Sequence, residues 1–182
     1  MFRFLQAKTT GNAIAFEASS MRRGRAVEPV LPVLDLYRQA DDYLDAALLP
    51  KGMVVMCGEA GRPAAELSFL VQREQARLAI VEEEGLSTEW IAANASRIDF
   101  LVVDADYMGD VTDTVDFCLR VRRAAPELPM VLISSEVRGD DLTCERMMAC
   151  DVTLKLPLTQ SKLQTGIRTA FQNHAYFLNS RS

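Results

Sequence analysis

The chain has 182 residues, 49% apolar and 25% charged, which is typical of a globular protein with room for one domain and an appendage. Its net charge of −5 argues against a general nucleic-acid surface. No apolar stretch approaches the length of a membrane span, and residues 1–5 do not begin a signal peptide, so we expect a cytoplasmic protein with no membrane contact.

The cysteines and the single histidine indicate no metal or nucleophile site. Cys57, Cys118, Cys144 and Cys150 lack the paired spacing of a zinc site, and we expect them to be buried thiols. His174 has no nucleophile near it in sequence, so we expect a surface or internally bonded histidine.

The first 50 residues form an extension that stands apart from the rest. Residues 35–49 predict an amphipathic helix with apolar residues along one stripe. Two interpretations stay open: the helix packs on its own domain, or it forms a homodimer or partner contact. The basic cluster at residues 21–25 predicts a solvated loop rather than a nucleic-acid arm, because no helix-turn-helix or aromatic platform accompanies it.

From residue 53 onward, apolar runs alternate with amphipathic segments. Such alternation predicts an α/β fold, a doubly wound parallel sheet with helices on both faces. Neither a dinucleotide-binding glycine motif nor a P-loop is present. The predicted strands cover residues 53–57, 78–81, 100–103, 130–133 and 152–154, and the predicted helices cover 62–75, a segment after the N-cap Ser87, 114–125, 140–149 and 160–177.

Asp104 follows the third run, Phe100–Val103, which has the nearly all-apolar pattern of a strand buried on both faces. Ligands bind at the carboxyl ends of strands in open α/β sheets, so this carboxylate is placed for chemistry or ion binding. A plainer interpretation makes Asp104 and Asp106 solvated loop residues that close a strand.

Five βα units, an aspartate after the third strand and a serine after the fourth form a recognisable set. Ser134 follows Asp104 by 30 residues, and the Lys155–Pro157 segment lies 21 to 23 residues beyond Ser134. In these features residues 53–177 resemble the bacterial response-regulator receiver (CheY-like) family. The resemblance implies a flavodoxin-like (βα)5 fold, here preceded by an N-terminal helical extension.

The resemblance also implies a role for each polar residue at this edge of the sheet. Asp104 would accept a phosphoryl group, Ser134 would be the switch hydroxyl, and Lys155 would pair with the phosphoryl oxygens. Mg²⁺, required only if that site functions, would be held by Glu59, Asp104 and Asp106. No other nucleophile and base come together, so we expect no independent enzyme.

The sequence departs from the family pattern after Asp104, where Tyr107 and Met108 stand in place of a pair that ends in proline, and at two positions that bear on the predicted site residues. In the loop directly after the first strand, Glu59 is the only acidic residue, whereas the family has two adjacent acidic residues there. Leu156 separates Lys155 from Pro157, where the family has lysine directly before proline. If Pro157 fixes the register, Lys155 faces away from Asp104, whereas a one-residue bulge would let it reach.

Two hypotheses about function follow. The first is a two-component (phosphorelay) receiver that takes phosphate on Asp104 from a histidine kinase or phosphotransfer protein and then contacts a downstream effector. The second is a pseudo-receiver that acts as a dimerisation or interaction module without phosphate. In either case we expect the signal to leave through protein contacts on the face of the fourth helix, fifth strand and fifth helix, where Met147 and Met148 lie.

Overall fold

The computed structural model of the protein describes residues 48–82 and 86–181. The basic cluster at residues 21–25 and the helix predicted from residue 35 up to residue 47 lie outside the described residues. Leu48 and Leu49 are described, are not helical, and are buried in the core of the domain that follows.

A single five-stranded parallel sheet organises the domain, as predicted, in the order β2-β1-β3-β4-β5. The apolar run before Asp104 forms the central strand β3, and its residues are all buried because helices cover both faces of the sheet. The strands are β1 (Met53–Cys57), β2 (Arg77–Val81), β3 (Phe100–Asp104), β4 (Met130–Ser134) and β5 (Val152–Lys155).

Helices pack on the two faces of this sheet and create two apolar cores. One core joins the sheet to α1 and α5, and the other joins it to α2 and α4. The α-helices are α1 (Arg62–Arg73), α2 (Thr88–Asn94), α3 (Ala105–Met108), α4 (Val111–Ala124) and α5 (Gln160–Asn179), and a 3₁₀ turn covers Ala95–Arg97.

The helix predicted over residues 140–149 is wrong. This segment consists of bends and turns, so β4 reaches β5 without a crossover helix. Asp141 explains the difference, because its carboxylate accepts hydrogen bonds from the backbone N–H of Thr143 at 3.0 Å and the Thr143 hydroxyl at 2.7 Å. Such local side-chain bonds compete with the helical hydrogen-bond pattern.

The segment from residue 135 to 150, hereafter the strap, covers the outer edge of β5. Asp141 and Thr153 exchange two backbone hydrogen bonds in an antiparallel bridge, at 2.7 and 2.9 Å. Asn173 of α5 donates its side-chain N–H groups to the carbonyls of Leu142 and Thr143 in the strap. The strap therefore protects an edge strand that would otherwise present unpaired backbone groups.

Three of the four cysteines, Cys57, Cys118 and Cys150, are buried as predicted, but Cys144 is exposed on the strap. His174 is buried and lies 2.9 Å from Arg122, so of the two expected alternatives, a surface or an internally bonded histidine, the structure has the internally bonded one. Across residues 48–82 and 86–181, no helix is long and apolar enough to cross a membrane.

Candidate functional site

Asp104 ends the central strand, as predicted, and its carboxylate caps the short helix α3. Oδ1 accepts hydrogen bonds from the backbone N–H groups of Asp106 at 3.1 Å and Tyr107 at 3.3 Å. The residue is only 6% exposed. Burial raises the pKa of Asp104 above its usual value, although the two backbone hydrogen bonds act in the opposite direction.

The loop after β1 approaches Asp104 closely. A Cβ atom at Gly58 would lie 3.1 Å from the Cβ of Asp104, so glycine is what permits this approach. Glu59, which follows, is exposed. Its negative charge makes a small further contribution, after burial and the charge of Asp106, to raising the pKa of Asp104.

Asp106, not Asp104, receives the hydroxyl of Ser134. The Ser134 Oγ donates to Oδ1 of Asp106 at 2.9 Å, and the backbone N–H of Ser135 lies 3.0 Å from both carboxylate oxygens. Slight burial tends to raise the pKa of Asp106, but these hydrogen bonds from Ser135 and Ser134 outweigh it and lower the pKa. Asp106 is therefore the ionised acceptor at this edge of the sheet.

Lys155 does not reach Asp104. Its Nζ donates to the carbonyl of Arg138 at 3.3 Å, and its backbone N–H donates to Asp140 at 2.7 Å. The register explains this: Asp104 aligns with Ile133, and Ile133 aligns with Leu154. Lys155 is one residue farther along β5 and so faces the opposite side of the sheet. Of the two alternatives left open by the sequence, the structure has the register without a bulge.

Comparison with known proteins gives structural matches only. No protein-family model matches the chain, and no curated protein matches it in sequence. A response-regulator receiver domain from Clostridium thermocellum matches with a TM-score of 0.51 at 14% identity, over 68% of this chain and 96% of that one. The domain has the receiver fold. The predicted resemblance to receivers is thus confirmed at the level of structure.

Two other solved structures are also similar. A putative pilus assembly-related protein from Burkholderia pseudomallei matches at 18% identity and a TM-score of 0.46, over 66% of this chain and 89% of that one. The receiver domain of NtrC4 from Aquifex aeolicus matches at 16% identity and a TM-score of 0.45, over 67% of this chain and 98% of that one.

The carboxylates of this receiver-like domain do not fit a magnesium ion as arranged. Mg²⁺ requires near-octahedral oxygen ligands. Both oxygens of Asp106 and one oxygen of Asp104 accept protein hydrogen bonds. Within the described part of the chain, no three histidine, cysteine, aspartate or glutamate side chains gather as a metal-binding group. The assignment of Glu59, Asp104 and Asp106 as metal ligands stays a prediction from the sequence.

Sequence reasoning missed the side-chain role of Asp106 and the participation of Ser135. It expected Asp106 to lie beside a metal, whereas its carboxylate joins the end of β3 to the end of β4. The only sequence signal was the presence of an acid two residues after Asp104 and of two serines after β4. That pattern does not by itself say which side chains meet.

Proposed function

We propose that the domain is a receiver-like signalling module that acts through protein contacts and does not depend on phosphorylation of Asp104. One observation carries this proposal: the Ser134 hydroxyl, which would report a phosphoryl group on Asp104, is bonded to Asp106. Lys155, whose Nζ would pair with that phosphoryl group, instead donates to the carbonyl of Arg138 in the strap.

The surroundings of Asp104 also disfavour phosphoryl transfer. An attacking carboxylate must be ionised, in line and accompanied by positive charge that neutralises the developing anion. Asp104 is 6% exposed, and burial favours its protonated form. Across the described residues, no lysine, arginine or histidine forms an ion pair with it.

The surface that supports protein contact lies around the strap. Met148 is 61% exposed and Leu142 is 36% exposed, and both belong to the strap. Tyr176 is 60% exposed and lies one turn beyond Asn173, which bonds the strap. Large exposed apolar patches mark interaction surfaces, and two of these three exposed residues share the strap. This is the region where the sequence predicted a signalling face, now built from an irregular segment and α5.

The experiment is Mg²⁺-dependent labelling by acetyl phosphate, followed by intact-protein mass, together with a beryllofluoride titration monitored by amide NMR shifts. We expect no labelling and no saturable shift for the wild-type protein. A receiver that is known to accept phosphate from acetyl phosphate controls for the reagents. Labelling of the wild-type protein that disappears in Asp104→Asn would refute the proposal.

A second candidate function, a working phosphoacceptor, has one observation in its favour. Asp104 ends the central strand at the carboxyl edge of the sheet, and its Oδ2 accepts no hydrogen bond from any described residue. That oxygen could act as a nucleophile if Asp104 were ionised. On this alternative a histidine kinase or phosphotransfer protein would supply the phosphate, and the same labelling experiment would give the opposite result.

A further inference from the structure

Asp106 holds together two loops that are distant in sequence. It lies in the first turn of α3, directly after β3, and its donors lie 28 and 29 residues later, at the end of β4. Ser134 Oγ donates to its carboxylate, and the backbone N–H of Ser135 lies within 3.0 Å of both carboxylate oxygens. One carboxylate thus fixes the chain where it leaves β4.

The Ser134 hydroxyl both donates and accepts a hydrogen bond in this arrangement. Its single hydrogen goes to Asp106, and its oxygen accepts the backbone N–H of Glu136 at 3.1 Å. The hydroxyl therefore transmits the position of Asp106 to the first residues of the strap. The far part of the strap is held separately, by the Asp141–Thr153 bridge and by Asn173.

The donors around Asp106 have the chemistry of an oxyanion site. A hydroxyl and a backbone N–H that converge on a charged oxygen form hydrogen bonds stronger than those between neutral groups. Carboxylate, phosphoryl and sulfate groups can all accept such bonds. Ser134 is buried, whereas Asp106 and Ser135 are exposed. If the Asp106 side chain were removed, a small anion from solvent could reach the same donors.

We propose that Asp106 is a built-in anion that occupies the oxyanion site of Ser134 and Ser135 and holds the start of the strap in one conformation without any phosphate. This inference rests on the proposed phosphate-independent function and supplies its structural cause. Asp106 is a positioning residue: it acts through Ser134 on the conformation of the strap, which carries the exposed Leu142 and Met148.

The test measures amide exchange with water at Ser135 and Glu136 by NMR, in the wild-type protein and in Asp106→Ala. We expect exchange at Ser135 to be roughly five- to tenfold faster in the variant, because its hydrogen bond to a charged group is lost at an exposed site. Exchange at Glu136 should also become faster, because its acceptor, the Ser134 hydroxyl, is no longer held by Asp106. Inorganic phosphate, added at constant ionic strength against chloride, should slow that exchange again in a saturable way. The wild-type protein should not respond to phosphate at these two amides.

Two controls make the result specific. Asp116→Ala removes the same charge from the exposed side of α4, where that carboxylate forms no hydrogen bond or ion pair with residues 48–82 or 86–181, and should behave as wild type. The double variant Asp106→Ala/Ser134→Ala should show a weaker phosphate response at Ser135, because one of the two donors is gone.

Unchanged exchange in Asp106→Ala would overturn the inference, and so would faster exchange that phosphate does not reverse. Neither outcome involves labelling of Asp104. Failure of this inference is therefore distinct from failure of the proposed function, which shows only as acetyl-phosphate labelling of the wild-type protein.

Discussion

Substitution of Arg122 by methionine tests how a buried polar cluster stabilises the domain. Arg122 and Asp151 form an ion pair at 2.9 Å with side chains only 2% and 0% exposed. The Arg122 Nη1 also lies 2.9 Å from Nδ1 of His174, and its guanidinium lies over the ring of Phe177. The cluster joins α4, the residue directly before β5, and α5, and Asp151 additionally accepts the backbone N–H of Met130 at 2.7 Å.

The magnitude follows from what the substitution leaves behind. Methionine retains much of the apolar packing of Arg122 but leaves Asp151 fully buried without its cation. Removing one partner of a buried pair destabilises a protein by about 3–5 kcal/mol, because the remaining charge is uncompensated. The bond from the backbone N–H of Met130 remains, and Nδ1 of His174, 3.3 Å from Asp151, can donate to that carboxylate once Arg122 no longer donates to the same nitrogen. We therefore expect a loss near the lower end, about 3 kcal/mol.

The assay is equilibrium unfolding by urea at neutral pH, with the free energy compared at equal slope. Arg146→Met is the matched control, because Arg146 pairs with Asp141 at 3.2 Å while its side chain is 59% exposed. Exposed pairs contribute about 0–1 kcal/mol. The double variant Arg122→Met/Asp151→Asn should recover part of the loss by removing the buried charge. A change below about 0.5 kcal/mol for Arg122→Met, similar to a neutral surface substitution, would refute the reasoning.

The remaining predictions concern the two carboxylates and the packing of α5. Asp104→Asn should stabilise the domain at neutral pH, because a pKa raised in the folded state means that ionisation of Asp104 opposes folding. Unfolding measured at a series of pH values should show that this gain in unfolding free energy vanishes below the unfolded-state pKa of about 3.8. Asp106→Asn should instead destabilise the domain at neutral pH, because the lowered pKa of Asp106 means that its ionised form stabilises the fold above the unfolded-state pKa. The loss of unfolding free energy relative to wild type should fade as the pH drops through the folded-state pKa of Asp106. Thermal unfolding of Gly166→Ala should show a loss of about 1–3 kcal/mol, because the new Cβ would lie 2.8 Å from the buried Leu154 side chain. Gly139→Ala, whose Cβ would meet nothing within 4 Å, is its control and should match the wild-type protein.

The sheet was predictable because burial on both faces leaves a direct trace in the sequence. Phe100–Val103 and Met130–Ile133 are short apolar runs, and each lies within an observed strand. The alternation of these runs with amphipathic segments then predicts that the strands run parallel to one another. Both signals are local in the sequence, and the observed strands agree with them.

The strap was not predictable from the same kind of signal. Leu142, Met147 and Met148 suggest a helical face, but the backbone from residue 140 onward has other hydrogen-bond partners. Asp141 bonds the Thr143 backbone and pairs with Thr153 across the edge of β5. Such competition depends on a contact with a later strand, which apolar spacing cannot reveal.

The site was predictable in position but not in pairing. Asp104 could be placed at the carboxyl edge from its strand alone. For Lys155 the sequence left two registers open, and the structure has the one counted back from Pro157, in which Lys155 faces away. The bond from Ser134 to Asp106 could not be derived, because two carboxylates lie within reach of that edge and the choice between them depends on side-chain geometry.

The choice between the two carboxylates has a consequence for any phosphorylation of Asp104. A phosphoryl group there would need the Ser134 hydroxyl, yet that hydrogen is already given to Asp106, which is ionised and close enough to Asp104 to raise its pKa. The phosphoryl group would have to take the Ser134 hydroxyl from Asp106 while adding negative charge beside that carboxylate. Lys155 could not offset this charge, because its Nζ faces the other side of the sheet and donates to the carbonyl of Arg138. Like charges at short range repel strongly when no cation accompanies them. On the two proposals made above, the arrangement that fixes the strap is therefore also the arrangement that opposes modification of Asp104.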